Sequence, residues 1–119
     1  MSDSLSEKLS NNPDAIEAYN QGRYYLMGFL EKREDLDKAK THLQKALELD
    51  HHFAEAYYLL GVAFQRLGNF DEAEAALSKG EEIAEDKKNL RGISYIYRGF
   101  KILYIHWGKY AKAKRYIEK

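Results

Sequence analysis

The feature that most constrains this chain is that it repeats itself. Ala39, Leu43 and Ala46 recur 34 residues later as Ala73, Leu77 and Gly80, and Leu36 recurs at the same offset as Phe70. A second set recurs at an offset of 40: Tyr57, Leu60, Phe64, Gly68, Phe70, Ala73 and Leu77 become Tyr97, Phe100, Tyr104, Gly108, Tyr110, Ala113 and Ile117. A period of roughly 20 to 50 residues marks an array in which each unit buries its apolar face only against its neighbours.

Within a unit the apolar spacing is helical. Tyr57, Leu60, Gly61 and Phe64 fall at i, i+3, i+4 and i+7, and Ala73, Ala76, Leu77 and Gly80 repeat the pattern. Between them, Gly68 suits the left-handed conformation that ends one helix, and Asn69 is placed to cap the next. Each unit is therefore two antiparallel helices, with Gly61 and Ala73 small where the pair must approach closely. The one proline, Pro13, follows Asn12 in a good helix start, and nothing interrupts the helices beyond it. The pattern predicts helices over 13–31, 35–49, 52–67, 70–85, 89–107 and 110–118. Residues 1–12 read as an N-terminal tail, frayed over 1–11.

These residues resemble the tetratricopeptide repeat (TPR), whose first helix carries an aromatic, Leu-Gly and another aromatic, and whose second carries Ala and a large apolar residue. Residues 54–87 show it best, with Tyr57, Leu60-Gly61, Phe64, Gly68, Phe70, Ala73 and Leu77; Glu85 stands where the family has proline. A first repeat, 15–53, keeps Gly22, Tyr25, Leu36, Ala39, Leu43 and Ala46 but has Ala18 and Gln21 at large apolar positions. It also holds about five extra residues around Phe29–Glu34, which predict a longer first helix. A third, 94–119, has Lys101 for the glycine and stops early. The resemblance implies an all-α domain over 13–119: antiparallel helix pairs stacked as a right-handed solenoid of about three repeats.

The sequence offers no chemistry. It has no cysteine, which excludes disulfides, zinc-thiolate sites and cysteine nucleophiles. His42, His51, His52 and His106 form no i, i+4 pair or metal motif, and the scattered glycines form no phosphate loop. Glu81-Glu82 and Glu85-Asp86 read as a solvated helix end. No enzyme activity and no cofactor are expected. The N-terminus lacks a signal-peptide pattern, and no apolar run approaches the roughly 20 residues that span a bilayer, so the expectation is a cytoplasmic protein away from membranes.

The net charge of zero conceals a split: residues 1–86 hold 18 acids and 9 bases, whereas 87–119 hold 10 bases and only Glu118. The basic end is either solvated helix faces or a docking end for an acidic partner or a second copy. Tyr95, Tyr97, Tyr104, Tyr110 and Tyr116 interleave with those bases, as in single-strand nucleic-acid binders. Tyr97, Tyr104 and Tyr110 occupy repeat-core positions, however, so nucleic acid is not the expected partner.

In the family, the first helices of successive repeats line a concave groove. The resemblance places Tyr19, Asn20, Arg23, Leu26 and Met27 there from the first repeat. The second repeat contributes Tyr58, Leu59, Val62, Gln65 and Arg66, and the third Tyr95, Arg98, Ile102, Ile105 and His106. Many of these are large and apolar on a face the repeat does not need, and an exposed stripe of that kind marks an interaction site. Tight superhelical curvature, or the tail, covering part of the stripe is the competing expectation. Arg23, Arg66 and Arg98 suit an amphipathic helix with some acidic residues. The lysine, asparagine and arginine clamp that holds chaperone tails is not expected, because Tyr19, Arg23, Leu59, Tyr95 and Gly99 stand in its places. The phrase Ala18-Tyr19-Asn20-Gln21-Gly22-Arg23-Tyr24-Tyr25-Leu26 resembles the opening of repeat regions in bacterial signalling proteins. The expected function is a protein–protein interaction module, a scaffold or regulatory domain binding a peptide or helix of another protein in the groove. The alternative is homo-oligomerisation through residues 94–119, where no polar capping helix follows and Tyr104, Tyr116 and Ile117 would form an unfinished end.

Overall fold

The computed structural model describes residues 9–28 and 32–118. Among them run six helices: α1 (Pro13–Leu26), α2 (Arg33–Leu49), α3 (Ala54–Arg66), α4 (Phe70–Asp86), α5 (Leu90–Trp107) and α6 (Tyr110–Ile117). Each helix packs on the next, α3 also packs on α5, and α1 touches α3. The odd-numbered helices thus form one layer and the even-numbered ones the other, as a helical solenoid requires.

Local chemistry sets the helix ends. Asn12 Oδ1 accepts from the backbone N–H of Asp14 at 2.9 Å and of Ala15 at 3.3 Å, with Pro13 in the first turn, and Asn89 Oδ1 accepts from Gly92 N–H at 3.0 Å. Asn69 occupies the corresponding place before α4 but makes no side-chain capping bond, contrary to the sequence expectation. Gly68 (φ 83°) and Gly108 (φ 81°) end α3 and α5 in the left-handed region. The N–H groups of Asn69 and Lys109 then reach back to the carbonyls of Phe64 and Tyr104 at 2.8 Å. Asn89 N–H makes the same bond to Ala84, also at 2.8 Å, with Lys88 (φ 55°) standing where the other turns have glycine.

Two expectations need correction. The first helix is not longer: α1 ends at Leu26, where Met27 N–H turns back to Tyr24 carbonyl at 3.2 Å and Gly28 follows. The extra residues fall in the α1–α2 connection. Gly22 meets Leu43 across the first pair and Gly61 meets Leu77 across the second, so the first pair spans five more residues between its contacts. The tail is not frayed over its last residues either; residues 1–8 lie outside the described part. Leu9 packs on the core, Ser10 Oγ donates to Asp50 Oδ2, and Asn12 Nδ2 donates to the Leu49 carbonyl at 3.1 Å.

Leu77, 1% exposed, is the wedge of the central repeat. A Cβ at Gly61 would lie 2.8 Å from its Cγ, and one at Gly99 would lie 2.7 Å from its Cδ2. Two helices therefore close on one side chain from opposite sides, and only glycine leaves the room. The third repeat has Lys101 instead of that glycine, and its counterpart of Leu77, Ile117, is 59% exposed. Replacing Leu77 by Ala is expected to cost about 2–5 kcal/mol. Gly61→Ala alone should cost about 1–3 kcal/mol by crowding. The double variant should lose less than the sum in urea denaturation, because the added methyl enters the vacated space.

Candidate functional site

The odd-numbered helices and the N-terminal segment enclose a cleft of about 560 Å³. From α1 and its end come Tyr19, Arg23, Leu26 and Met27; from α3 come Tyr58, Leu59, Val62 and Arg66; from α5 come Tyr95 and Arg98. Ten of the fifteen residues placed in the groove by sequence thus converge. Asn20 does not: it faces a separate hollow with Pro13, Ile16, Glu17, Tyr24 and His42 on the other side of α1. Gln65, Ile102, Ile105 and His106 also lie outside the cleft lining, and Ile102 carbonyl lies 2.9 Å from His106 Nδ1.

The cleft is less exposed than an open apolar stripe. Tyr19, Leu26 and Leu59 are buried and form its floor, with Tyr19 stacked on the fully buried Phe53 at 4.8 Å. Tyr58 and Tyr95 stack on each other at 5.3 Å, tying α3 to α5, and the Arg98 guanidinium lies 5.9 Å from the Tyr95 ring. Met27 remains open to solvent. Leu9 lies along the cleft, so the end of the tail does cover part of the groove.

Sequence reasoning missed Leu9, Arg91 and Glu55. Arg91 had a signal: with Tyr95, Arg98 and Ile102 it completes an i, i+4, i+7, i+11 stripe on α5. Glu55 likewise precedes Tyr58 and Leu59 by one turn. Leu9 had none, because no helical period reaches it. Glu55 is 1% exposed and holds its charge by accepting from Arg91 Nε at 3.1 Å and Asn89 Nδ2 at 3.2 Å. Asn89 therefore does two jobs, capping α5 with its oxygen and steadying Glu55 with its nitrogen.

Burial, and then the nearby Glu55 carboxylate, push the Tyr19 phenol up from 10.0 to about 12. Burial also raises Tyr97, Tyr104 and Tyr116, and Tyr104 is raised further by donating to Glu74 Oε2 at 2.6 Å. Among the described residues no group of three His, Asp or Glu side chains is arranged to hold a metal, and no helix is long and apolar enough to cross a membrane.

Three stacked helix pairs, with their first helices lining a cleft, define a helical-repeat protein of the kind that presents a concave face. Family models agree: one described as TPR repeat matches residues 32–68, and one described as Tetratricopeptide repeat matches 54–87. The chain belongs to the tetratricopeptide-repeat family, whose repeats generally mediate protein–protein interaction. No curated protein matches it.

Two outcomes are expected here. Arg91→Leu should destabilise by about 2–3 kcal/mol in chemical denaturation, since it leaves a buried carboxylate with one neutral donor; Glu55→Gln, which keeps an acceptor for both donors, should cost less. The raised phenols make the fold sensitive to alkali. Their neutral forms are favoured by folding, so this stabilisation is whole below pH 10 and is lost as pH rises through about 12. Tyrosinate absorbance should therefore appear later than in free tyrosine and together with loss of helical circular dichroism. Ionisation of all ten tyrosines near pH 10 with helicity intact would contradict this.

Proposed function

We propose that this chain is a scaffold or regulatory interaction module that seats a peptide or helix of another protein in the cleft between α1, α3 and α5. The observation that carries the reading is the convergence of side chains from all three helices that the repeat packing does not use. Arg23, Met27 and Arg98 are exposed at the cleft while Tyr19, Leu26 and Leu59 give it a rigid apolar floor. An apolar floor with convergent polar groups is what a binding site needs.

The interleaved tyrosines do not favour nucleic acid. Tyr104 and Tyr116 each stack on Phe100, at 5.7 and 4.6 Å, which leaves those faces to packing rather than to bases. Self-assembly through residues 94–119 draws support from the exposed Tyr110 and Ile117. Tyr104, however, is buried within the last repeat, so the end is less unfinished than its sequence suggests. The lack of cysteine suits a reducing compartment, and we place the partner in the cytoplasm. The opening phrase at 18–26 supports attachment to bacterial signalling proteins.

The test is a peptide-display selection against the native chain, followed by affinity measurements on the variant carrying Tyr58→Ala and Val62→Asp. Selected peptides should bind the variant at least about tenfold more weakly. Peptides that bind both chains equally, with the variant still folded, would exclude the cleft as the binding surface.

A further inference from the structure

We infer that the occupant of this cleft is an acidic segment of a partner protein, one that sets carboxylates among apolar residues. The inference rests on the groove reading above and names the chemistry of what the groove takes. Four arginines line the cleft: Arg23, Arg66, Arg91 and Arg98. The helices that form it offer almost nothing to balance them. α5 contains no acidic residue, and the one acid of α3 is Glu55. Glu55 is buried and committed to Arg91 and Asn89, so it anchors one arginine and leaves the others uncompensated. On α1, Glu17 points into the hollow on the opposite side. Among the described residues neither Arg23 nor Arg98 makes an ion pair. Arg66 is held in place by donating from a guanidinium nitrogen to the Leu26 carbonyl at 2.8 Å, a bond that orients its charge without neutralising it.

Like charges around a cleft with apolar walls concentrate a positive potential, and that potential attracts an anionic ligand. Guanidinium forks match carboxylates in two-point hydrogen bonds. Between the arginines the surface is Met27, Val62 and the Tyr58–Tyr95 stack, which offers apolar contact rather than further charge. The ring faces of Tyr58 and Tyr95 are turned on each other, and Tyr19 is stacked on Phe53, so the cleft has no free aromatic platform for a nucleobase. Positive rim and apolar floor together select a peptide in which acids alternate with aliphatic residues.

The experiment uses fluorescence anisotropy with three labelled peptides: alternating Leu and Glu, alternating Leu and Gln, and alternating Leu and Lys. The Leu–Glu peptide should bind the full chain at least about tenfold tighter than the Leu–Gln peptide, and the Leu–Lys peptide should bind weakest. Raising sodium chloride to molar concentration should remove most of that preference. The variant with Arg23→Glu and Arg98→Glu, both at exposed positions, should keep the native circular dichroism and lose the preference. Equal binding of the Glu and Gln peptides, still blocked by Tyr58→Ala with Val62→Asp, would overturn the acidic partner while leaving the groove reading standing. Failure of the Leu–Glu peptide to bind overturns the inference as well. So does binding that appears only after removal of residues 1–8, since the cleft would then belong to the chain's own N-terminus.

Discussion

Everything in this molecule depends on how closely its helices can approach around Leu77. Glycines on α3 and α5 face that one side chain, and each sits where an added methyl would collide with it. Close approach brings the two first helices near enough for Tyr58 and Tyr95 to stack, and that stack forms one wall of the cleft. Gly22 under Leu43 repeats the arrangement in the first pair. Packing in the even-numbered layer thus sets the spacing of the odd-numbered one, and so the shape of the surface offered to a partner.

The electrostatics follow from the same geometry. Glu55 in the first turn of α3 lies beneath the start of α5, where Asn89 and Arg91 meet it. A carboxylate at a helix N-terminus is favoured by the helix dipole, and two charge-assisted donors offset the cost of burying it. The pair links successive repeats at one end of the cleft, and the Tyr58–Tyr95 stack links them one turn further along. Four of the nine bases in residues 1–86 and the ten in 87–119 supply no more than the four arginines seen in the cleft. Its character comes from the near absence of acids on that face, more than from an excess of bases in the chain.

Repeat register, helix number and most of the groove were legible because helical periodicity places residues on faces, and ten of the placed residues converge as that logic requires. What escaped was whatever periodicity does not encode. Asn20 is one residue from Tyr19 and so about 100° around α1, enough to send it to the other side. Gln65 and the later part of α5 fail for another reason: no fourth first helix follows α5 to close the cleft around them. Lys88 was invisible as a turn residue because it takes a backbone conformation usually given to glycine. Leu9 lies in a segment with no period, held by Ser10 and Asn12 against the end of α2.

The charge split, read from sequence as two opposed ends, has a different meaning in three dimensions. Seven acids of the first 86 residues lie on α4, which is a neighbour of the basic C-terminal helices and not the far end of the molecule. Glu74 accepts from Tyr104 and pairs with Lys112 at 3.8 Å, and Tyr97 donates to Glu85 at 3.4 Å. Lys109 lies 3.6 Å from the Trp107 ring centroid, and Lys112 lies 5.5 Å from that of Tyr104. The basic end is thus partly answered inside the chain, by contacts that dock a short α6 whose only buried residue is Ala113. Exposed ion pairs contribute little each, so this docking is weak compared with the Leu77 wedge. Opposite charge therefore works here to close the last repeat on its predecessor, and the positive potential left over is concentrated where no acid faces it, in the cleft.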